Sequence, residues 1–264
     1  TTISLVPAAS LLYTPGNATC TSGVRTPQML APTLFILTYI GIALGKIPGV
    51  ALDRVGIALL GAIAMVAFGV LTPESAFRAI DLSTILLLYS LMIISAQLRL
   101  GGFYTWSALK VLTLLARPKR FLLALMLLSG LLSALLANDI VCFAFTPVLA
   151  AALIQAQLNP LPFLLGLAVA SNIGSAATII GNPQNMLLGQ VGQLDFAAFL
   201  RWCAPPSIAA LAAGYVIILL LFRKKLAMKY PGPQLRPGQD WPPFDQWQTT
   251  KGLLAVTVLI VLFF

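Results

Sequence analysis

A chain of 264 residues with 59% hydrophobic and only 9% charged residues does not suit a water-soluble globule. Such a globule keeps most of its residues near water, and soluble domains carry about 25% charged residues. The net charge of +9 would suggest nucleic acid on a soluble protein, but here the basic residues sit between apolar runs, where membrane topology accounts for them. Histidine is absent, which removes Ser-His-Asp nucleophile systems and His-ligated zinc hydrolases.

Residues 1–28 read as an N-terminal extension. They hold Pro7, Pro15, Gly16 and Pro27 but no basic n-region, so they do not read as a convincing signal peptide. Asn17-Ala18-Thr19 matches a glycosylation sequon, a triplet common by chance. Cys20, Cys142 and Cys203 are too scattered for a disulfide framework or a zinc site. Cys142 and Cys203 read as small packing residues.

A spanning helix needs roughly 20 apolar residues. Candidate segments are Leu30–Leu44, Val55–Leu71, Leu82–Leu98, Phe121–Ala137, Ile140–Leu153, Leu161–Gly189 and Ala204–Phe222. Gly101–Ala116 opens with Phe103, Tyr104 and Trp106 and is interrupted by Lys110, the pattern of an interfacial amphipathic helix. Residues 29–222 are expected to form a first membrane repeat. Arg223–Thr250, rich in Pro and Gly and holding Trp241 and Trp247, reads as a linker (223–250). An apolar run from Gly252 (251–264) reads as the start of a truncated second repeat.

Basic residues orient the segments. One set of loops carries Lys46, Arg54, Arg99, Lys110, Arg117, Lys119, Arg120, Arg223, Lys224, Lys225, Lys229, Arg236 and Lys251; the alternate set carries only Arg25, Arg78 and Arg201. The first set is expected in the cytoplasm and the N-terminus outside, with a bacterial inner membrane as the location. This parity requires Phe121–Leu153 to enter and return. Segment length favours two full spans; a polar tip favours a re-entrant hairpin.

That tip is Asn138-Asp139. Asp139 is the only charged residue between Phe121 and Leu194. A carboxylate within a bilayer costs roughly 2.5–3.5 kcal/mol on insertion scales and usually faces a cavity that binds an ion, a proton or a partner. A solvated turn at the membrane surface is the plainer alternative. Thr146 and Pro147 follow on the next segment.

The second candidate runs from Ser171 to Asn185. Ser171, Ser175 and Thr178 share a helical face by spacing. Gly166, Ala170 and Gly174 form a small-residue stripe for close helix contact, and a packing seam alone would explain both patterns. Asn172, Asn182, Gln184 and Asn185 add amides that are costly at membrane depth. Gly181 and Pro183 predict a helix break, and irregular backbone survives in a membrane only against protein or a water-filled cavity. Ser171 lies about 15 Å along a helix from Leu161, near a bilayer's centre, where transporters place discontinuous helices.

The combination Asn138-Asp139, Thr146-Pro147 and Ser171 through Asn185 resembles the ion-transporter superfamily, which includes citrate-transporter-like permeases, arsenical pump membrane proteins, dicarboxylate/sodium symporters and some sodium/proton antiporters. Leu52 to Gly61 resembles the start of its second helix. The resemblance covers residues from about 30 onward. It implies an all-α polytopic membrane fold, the first half of an inverted-repeat transporter, with a hairpin tip and a broken helix meeting near the midplane. It places Asn138 and Asp139 at the tip, and Ser171, Asn172, Gly174, Thr178 and Asn182 on the broken helix. Ala137-Asn138-Asp139 stands where the dicarboxylate symporters carry Ser-Asn-Thr, which shifts the expectation toward the arsenite/inorganic-anion branch or a cation/proton antiporter.

The expected function is secondary transport of a small anion of the arsenite, inorganic-anion or carboxylate class, coupled to H+ or Na+. Every Lys and Arg falls in a loop or interfacial segment, so the anion would be held by hydroxyls, amides, backbone N–H groups and half-helix N-termini. Sodium would suit amide and carbonyl oxygens near Asn138 and Asn172; a proton would suit Asp139. The candidate binding residues are Asn138, Asp139, Thr146, Ser171, Asn172, Gly174, Ser175, Thr178, Asn182 and Asn185. No cofactor is expected, and no enzyme activity: an intramembrane aspartyl protease needs two facing acids, and an ion channel is the other distant alternative. Expected partners are the lipid bilayer, the substrate anion and a second half of the transporter; a homodimer is left open, and nucleic acid is not expected.

Overall fold

The computed structural model describes residues 29–45, 53–227 and 243–263. The N-terminal extension with its sequon and Cys20, the loop containing Lys46, and linker residues 228–242 lie outside the described residues. The chain divides into two compact units, residues 1–80 and 81–264. Among the described residues the regular structure is helical.

In the first unit, α1 (Leu30–Leu44) and α2 (Arg54–Ala67) pack as a pair. Their seam is made by small residues: a Cβ on Gly61 would stand 2.3 Å from Thr38 Oγ1, and one on Gly41 would stand 2.9 Å from Ile57. Asp53 starts α2 by accepting a hydrogen bond from Gly56 N at 2.8 Å, the usual service of an N-cap carboxylate. A short α3 (Pro73–Arg78) follows, with Thr72 as N-cap and proline in its first turn.

The second unit contains α4 (Leu82–Leu100), α5 (Phe103–Leu112), α6 (Pro118–Leu136), α7 (Asn138–Gln155), α8 (Leu161–Ser175), a 3-10 turn (Ile179–Gly181), α9 (Pro183–Val191), α10 (Phe196–Leu221), a 3-10 turn (Lys225–Ala227) and α11 (Gln246–Phe263). Its centre is the parallel pair α6 and α8. Gly166 sits on Leu122 and Gly174 on Gly130, a constant offset along both helices. A Cβ on Gly174 would fall 2.1 Å from Gly130 O and 2.5 Å from its Cα, so this crossing is backbone on backbone. The small-residue stripe Gly166, Ala170, Gly174 is therefore the seam of the unit, as close packing in membranes demands.

α7 returns antiparallel beside this pair, and α10 runs antiparallel to α6, with Leu211 against Gly130 and Tyr215 Oη donating to Lys119 O at 3.2 Å. α11 closes on α4: Gln97 and Gln248 are hydrogen-bonded, and Thr249 Oγ1 donates to Gly101 O at 3.2 Å. This helix begins at Gln246, six residues before the expected apolar run, because Asp245 accepts from the N–H groups of Trp247 and Gln248 and starts it early. α5 has the amphipathic character expected of Gly101–Ala116, but its apolar face is buried in protein. Tyr104, Ala108 and Leu112 are buried, with Tyr104 edge-on to Phe145 of α7, while Trp106 and Lys110 stay outside with the ammonium 5.7 Å from the ring centroid.

Helices α4, α6, α7 and α10 are long and apolar enough to cross a membrane, and α1, α2 and α8 are shorter apolar helices. Large apolar side chains such as Leu127, Phe143 and Trp202 are exposed, as expected of a surface whose solvent is lipid. The protein is a polytopic α-helical integral membrane protein.

Candidate functional site

Two interruptions of helix lie side by side in the second unit. The first is the sharp turn between α6 and α7. Its pivot, Ala137, has φ 67° and ψ 136°, a conformation that costs a residue with a Cβ about 1–3 kcal/mol. The turn leaves Asn138 and Asp139 as the first two residues of α7, whose N-terminus has no side-chain cap. The second is the stretch between α8 and α9. The break begins after Ser175, six residues earlier than the Gly181-Pro183 signal indicates. Pro183 does not break a helix here; it occupies the first turn of α9, where a missing N–H costs nothing. Gly181 is needed for contact: a Cβ there would sit 2.2 Å from Ser175 O.

The polar groups of the break are largely spent on helix ends. The last carbonyls of α8 are all satisfied. Asn172 O accepts from Ser175 Oγ at 2.8 Å, Ile173 O and Gly174 O accept from the N–H groups of Ala176 and Ala177, and Ser175 O accepts from Asn182 Nδ2 at 3.2 Å and Asn185 Nδ2 at 3.4 Å. Asn182 Oδ1 caps α9 by accepting from Asn185 N at 2.8 Å, and Asn185 Nδ2 also donates to Thr178 O at 2.9 Å. Thr178 Oγ1 donates to Ala134 O in the last turn of α6. Thr178 therefore does not continue the face of Ser171 and Ser175: the helix has ended, and it stands in extended backbone tying the break to the hairpin.

The interruptions join at a second point. Asn138 Nδ2 donates to Asn172 Oδ1 at 3.2 Å, and Asn172 Nδ2 donates to Ala168 O at 2.8 Å. One turn on, Cys142 Sγ and Ser171 Oγ are 2.9 Å apart, so Cys142 makes a polar contact as well as packing. Asp139 is exposed and has no hydrogen-bond or ion-pair partner among the described residues. Thr146 lies exposed two turns along α7, apart from the cluster. Of the sequence candidates, then, Asn138, Ser171 and Asn172 meet across α7 and α8; Ser175, Thr178, Asn182 and Asn185 meet within the break; Asp139 and Thr146 face outward; and Gly174 serves the seam. Asn172 stands about 16 Å along α8 from its start by helical rise.

One residue at the tip escaped the sequence reading. Ser133 is fully buried one turn before Ala137, and its hydroxyl has no hydrogen-bond partner among the described residues. Its signal was the spacing of Ser129 and Ser133 just ahead of Asn138. Among the described residues no three His, Cys, Asp or Glu side chains gather as a metal site.

The sequence model of the citrate transporter family matches residues 35–264. The chain belongs to the citrate transporter family. Its similarity to curated proteins runs the same way. It is 33% identical over 175 residues to a putative transporter, arsB, of Dictyostelium discoideum, covering 66% of this chain and 31% of that protein. It is 32% identical over 182 residues to a silicon efflux transporter of Oryza sativa subsp. japonica, covering 69% and 37%. It is 31% identical over 200 residues to an uncharacterized transporter of Mycobacterium bovis, covering 74% and 46%. The chain thus spans between about a third and a half of these relatives' lengths.

Proposed function

We propose that this chain is half of the substrate pathway of a secondary transporter for a small anion of the arsenite, inorganic-anion or carboxylate class. The observation that carries the reading is the uncapped start of α7 beside Asn172. The first-turn N–H groups of a helix lack intrahelical partners and carry the positive end of its dipole. Here no side chain among the described residues caps them, in contrast to the Asn182-capped start of α9. An anion can be received there by the N–H groups and the Asn138 and Asn172 amides without any Lys or Arg in the membrane.

Asp139 points to the coupling ion. A carboxylate with no cation beside it suits a proton or, with amide oxygens, sodium. The same observation favours the second reading, a sodium/proton antiporter of the same superfamily. In either case the outward face of α7 and α8 is completed by a second repeat, supplied by the portion of the longer relatives that this chain does not span. The N-terminus lies outside, the linker 223–250 in the cytoplasm, and the host membrane is a bacterial inner membrane.

The test uses the full-length protein in sealed vesicles. Accumulation of labelled arsenite, phosphate or citrate that collapses when the proton or sodium gradient is dissipated is the expected result. Sodium efflux driven by an inward proton gradient, with no anion accumulated, selects the antiporter. Flux that only runs down the substrate's own gradient sinks both.

A further inference from the structure

Two further cavities lie along α6. At its start, Arg117, Lys119 and Arg120 line a cavity of about 390 Å³ with Pro118 and Leu226. All three basic residues are exposed, and none has an ion-pair partner among the described residues. Lys225 stands next to Leu226 in the turn that packs on α6. Further along the same seam with α10, Leu127, Leu131, Ile208 and Leu211 line an apolar groove of about 360 Å³. Its two hydroxyls are spent internally, Ser207 on Cys203 O and Thr178 on Ala134 O. The groove therefore offers an occupant no hydrogen bond, only hydrocarbon contact.

A cluster of unpaired cations and an apolar groove lie on one helix, with Arg120 and Leu131 about 16 Å apart by helical rise. That is about half of the ~30 Å hydrocarbon core, the depth of one leaflet. A free anion satisfies only the first element, and an apolar protein segment only the second. We propose that the α6–α10 seam binds an anionic phospholipid, its phosphodiester against Arg117, Lys119 and Arg120 and one acyl chain in the groove between Leu127 and Leu211. Basic pockets at the ends of membrane helices select anionic headgroups by charge, and Arg holds phosphate oxygens in bidentate fashion. The inference does not depend on what the protein transports.

The test is native mass spectrometry of the full-length protein in mild detergent. The probes are phosphatidylglycerol, phosphatidylcholine of the same chains, and inorganic phosphate. The expected result is retention of phosphatidylglycerol at least about tenfold above phosphatidylcholine, lost in the triple variant Arg117→Gln/Lys119→Gln/Arg120→Gln. Removing basic residues also disturbs topology, so Ile208→Trp, which fills the groove and leaves the charges in place, is the second variant; it should cut retention of phosphatidylglycerol by a similar factor. Equal retention of the two lipids overturns the proposal, as does retention that survives both variants. Displacement of phosphatidylglycerol by millimolar inorganic phosphate makes this a free-phosphate site and also overturns it. If no lipid is retained at all, protein rather than lipid covers the seam, and the proposal fails.

Discussion

The starts of α7 and α9 are two solutions to one problem within the same bundle. Each begins a helix where the chain has just broken off another, and each has asparagine at the junction. At α9, Asn182 accepts from Asn185 N, donates to Ser175 O, and is followed by proline in the first turn. The Asn182 and Asn185 amides there are committed to holding the break. At α7, Ala137 sits in a strained conformation, no side chain caps the first turn, and Asp139 reaches outward unpartnered. The difference separates polar residues that build the site from those left free to use it. Residue type does not distinguish them, since asparagine stands at both.

The α6–α8 seam brings the two junctions together. Gly174→Ala puts a methyl within 2.1 Å of Gly130 O, and backbone on both sides leaves little room to yield. Overpacking of this kind costs about 3 kcal/mol. The expected outcome is a protein that inserts but elutes as aggregate or unfolds well below the wild type in detergent. A monodisperse variant with unchanged thermal unfolding would mean that the two helices can part at this crossing without loss.

Asn182→Ala comes next. It removes an N-cap, worth about 1 kcal/mol, and one donor to the end of α8, worth about another 1 kcal/mol. Unfolding in detergent should fall by about 2 kcal/mol, with transport lost in proportion to folded protein. If folding is intact and transport alone is lost, Asn182 belongs with the free groups, and the contrast with α7 collapses.

Particular residues show why sequence went part of the way. Leu30–Leu44 has the same bounds in sequence and structure, because hydrophobic run length is local information. The break in Leu161–Gly189 was legible as a break, since Gly181 and Pro183 mark it, but its position was not. The helix stops at Ser175 because Asn182 and Asn185 fold back on Ser175 O and because Thr178 is captured by Ala134 O. That last bond joins residues 44 apart, and no local pattern encodes it. The grouping of Ser171, Ser175 and Thr178 on one face failed for the same reason. Asn138 and Asn172 are both candidates by their burial cost, yet their pairing depends on α6 and α8 running in parallel, which became visible only with the fold.

Ala137→Gly acts on the strained start of α7 instead. The native φ of 67° is open to glycine without a Cβ penalty. Relief of strain should raise stability by about 1 kcal/mol, less the entropy that glycine adds to the unfolded chain. If transport falls while the protein becomes more stable, the strain is part of how the tip is held for its task. If both are unchanged, the conformation is merely tolerated.

Asp139→Asn should change stability least and is the most informative. Among the described residues Asp139 has no partner to lose. Its only structural service is its charge near the N-terminus of α7, an effect of about 0.5 kcal/mol at an exposed site. Asparagine keeps the shape and some capping capacity but can neither take up a proton nor supply a negative oxygen to sodium. Thermal unfolding of the full-length variant should therefore lie within about 0.5 kcal/mol of the wild type, while gradient-driven uptake falls by about tenfold or more, equivalent to at least 1.4 kcal/mol of lost coupling. Asn182→Ala should move both readouts together; Asp139→Asn should move only the second. Uptake that stays coupled in Asp139→Asn would return the carboxylate to a dipole-balancing role and leave the α7 N–H groups and the Asn138–Asn172 pair to bind substrate without it.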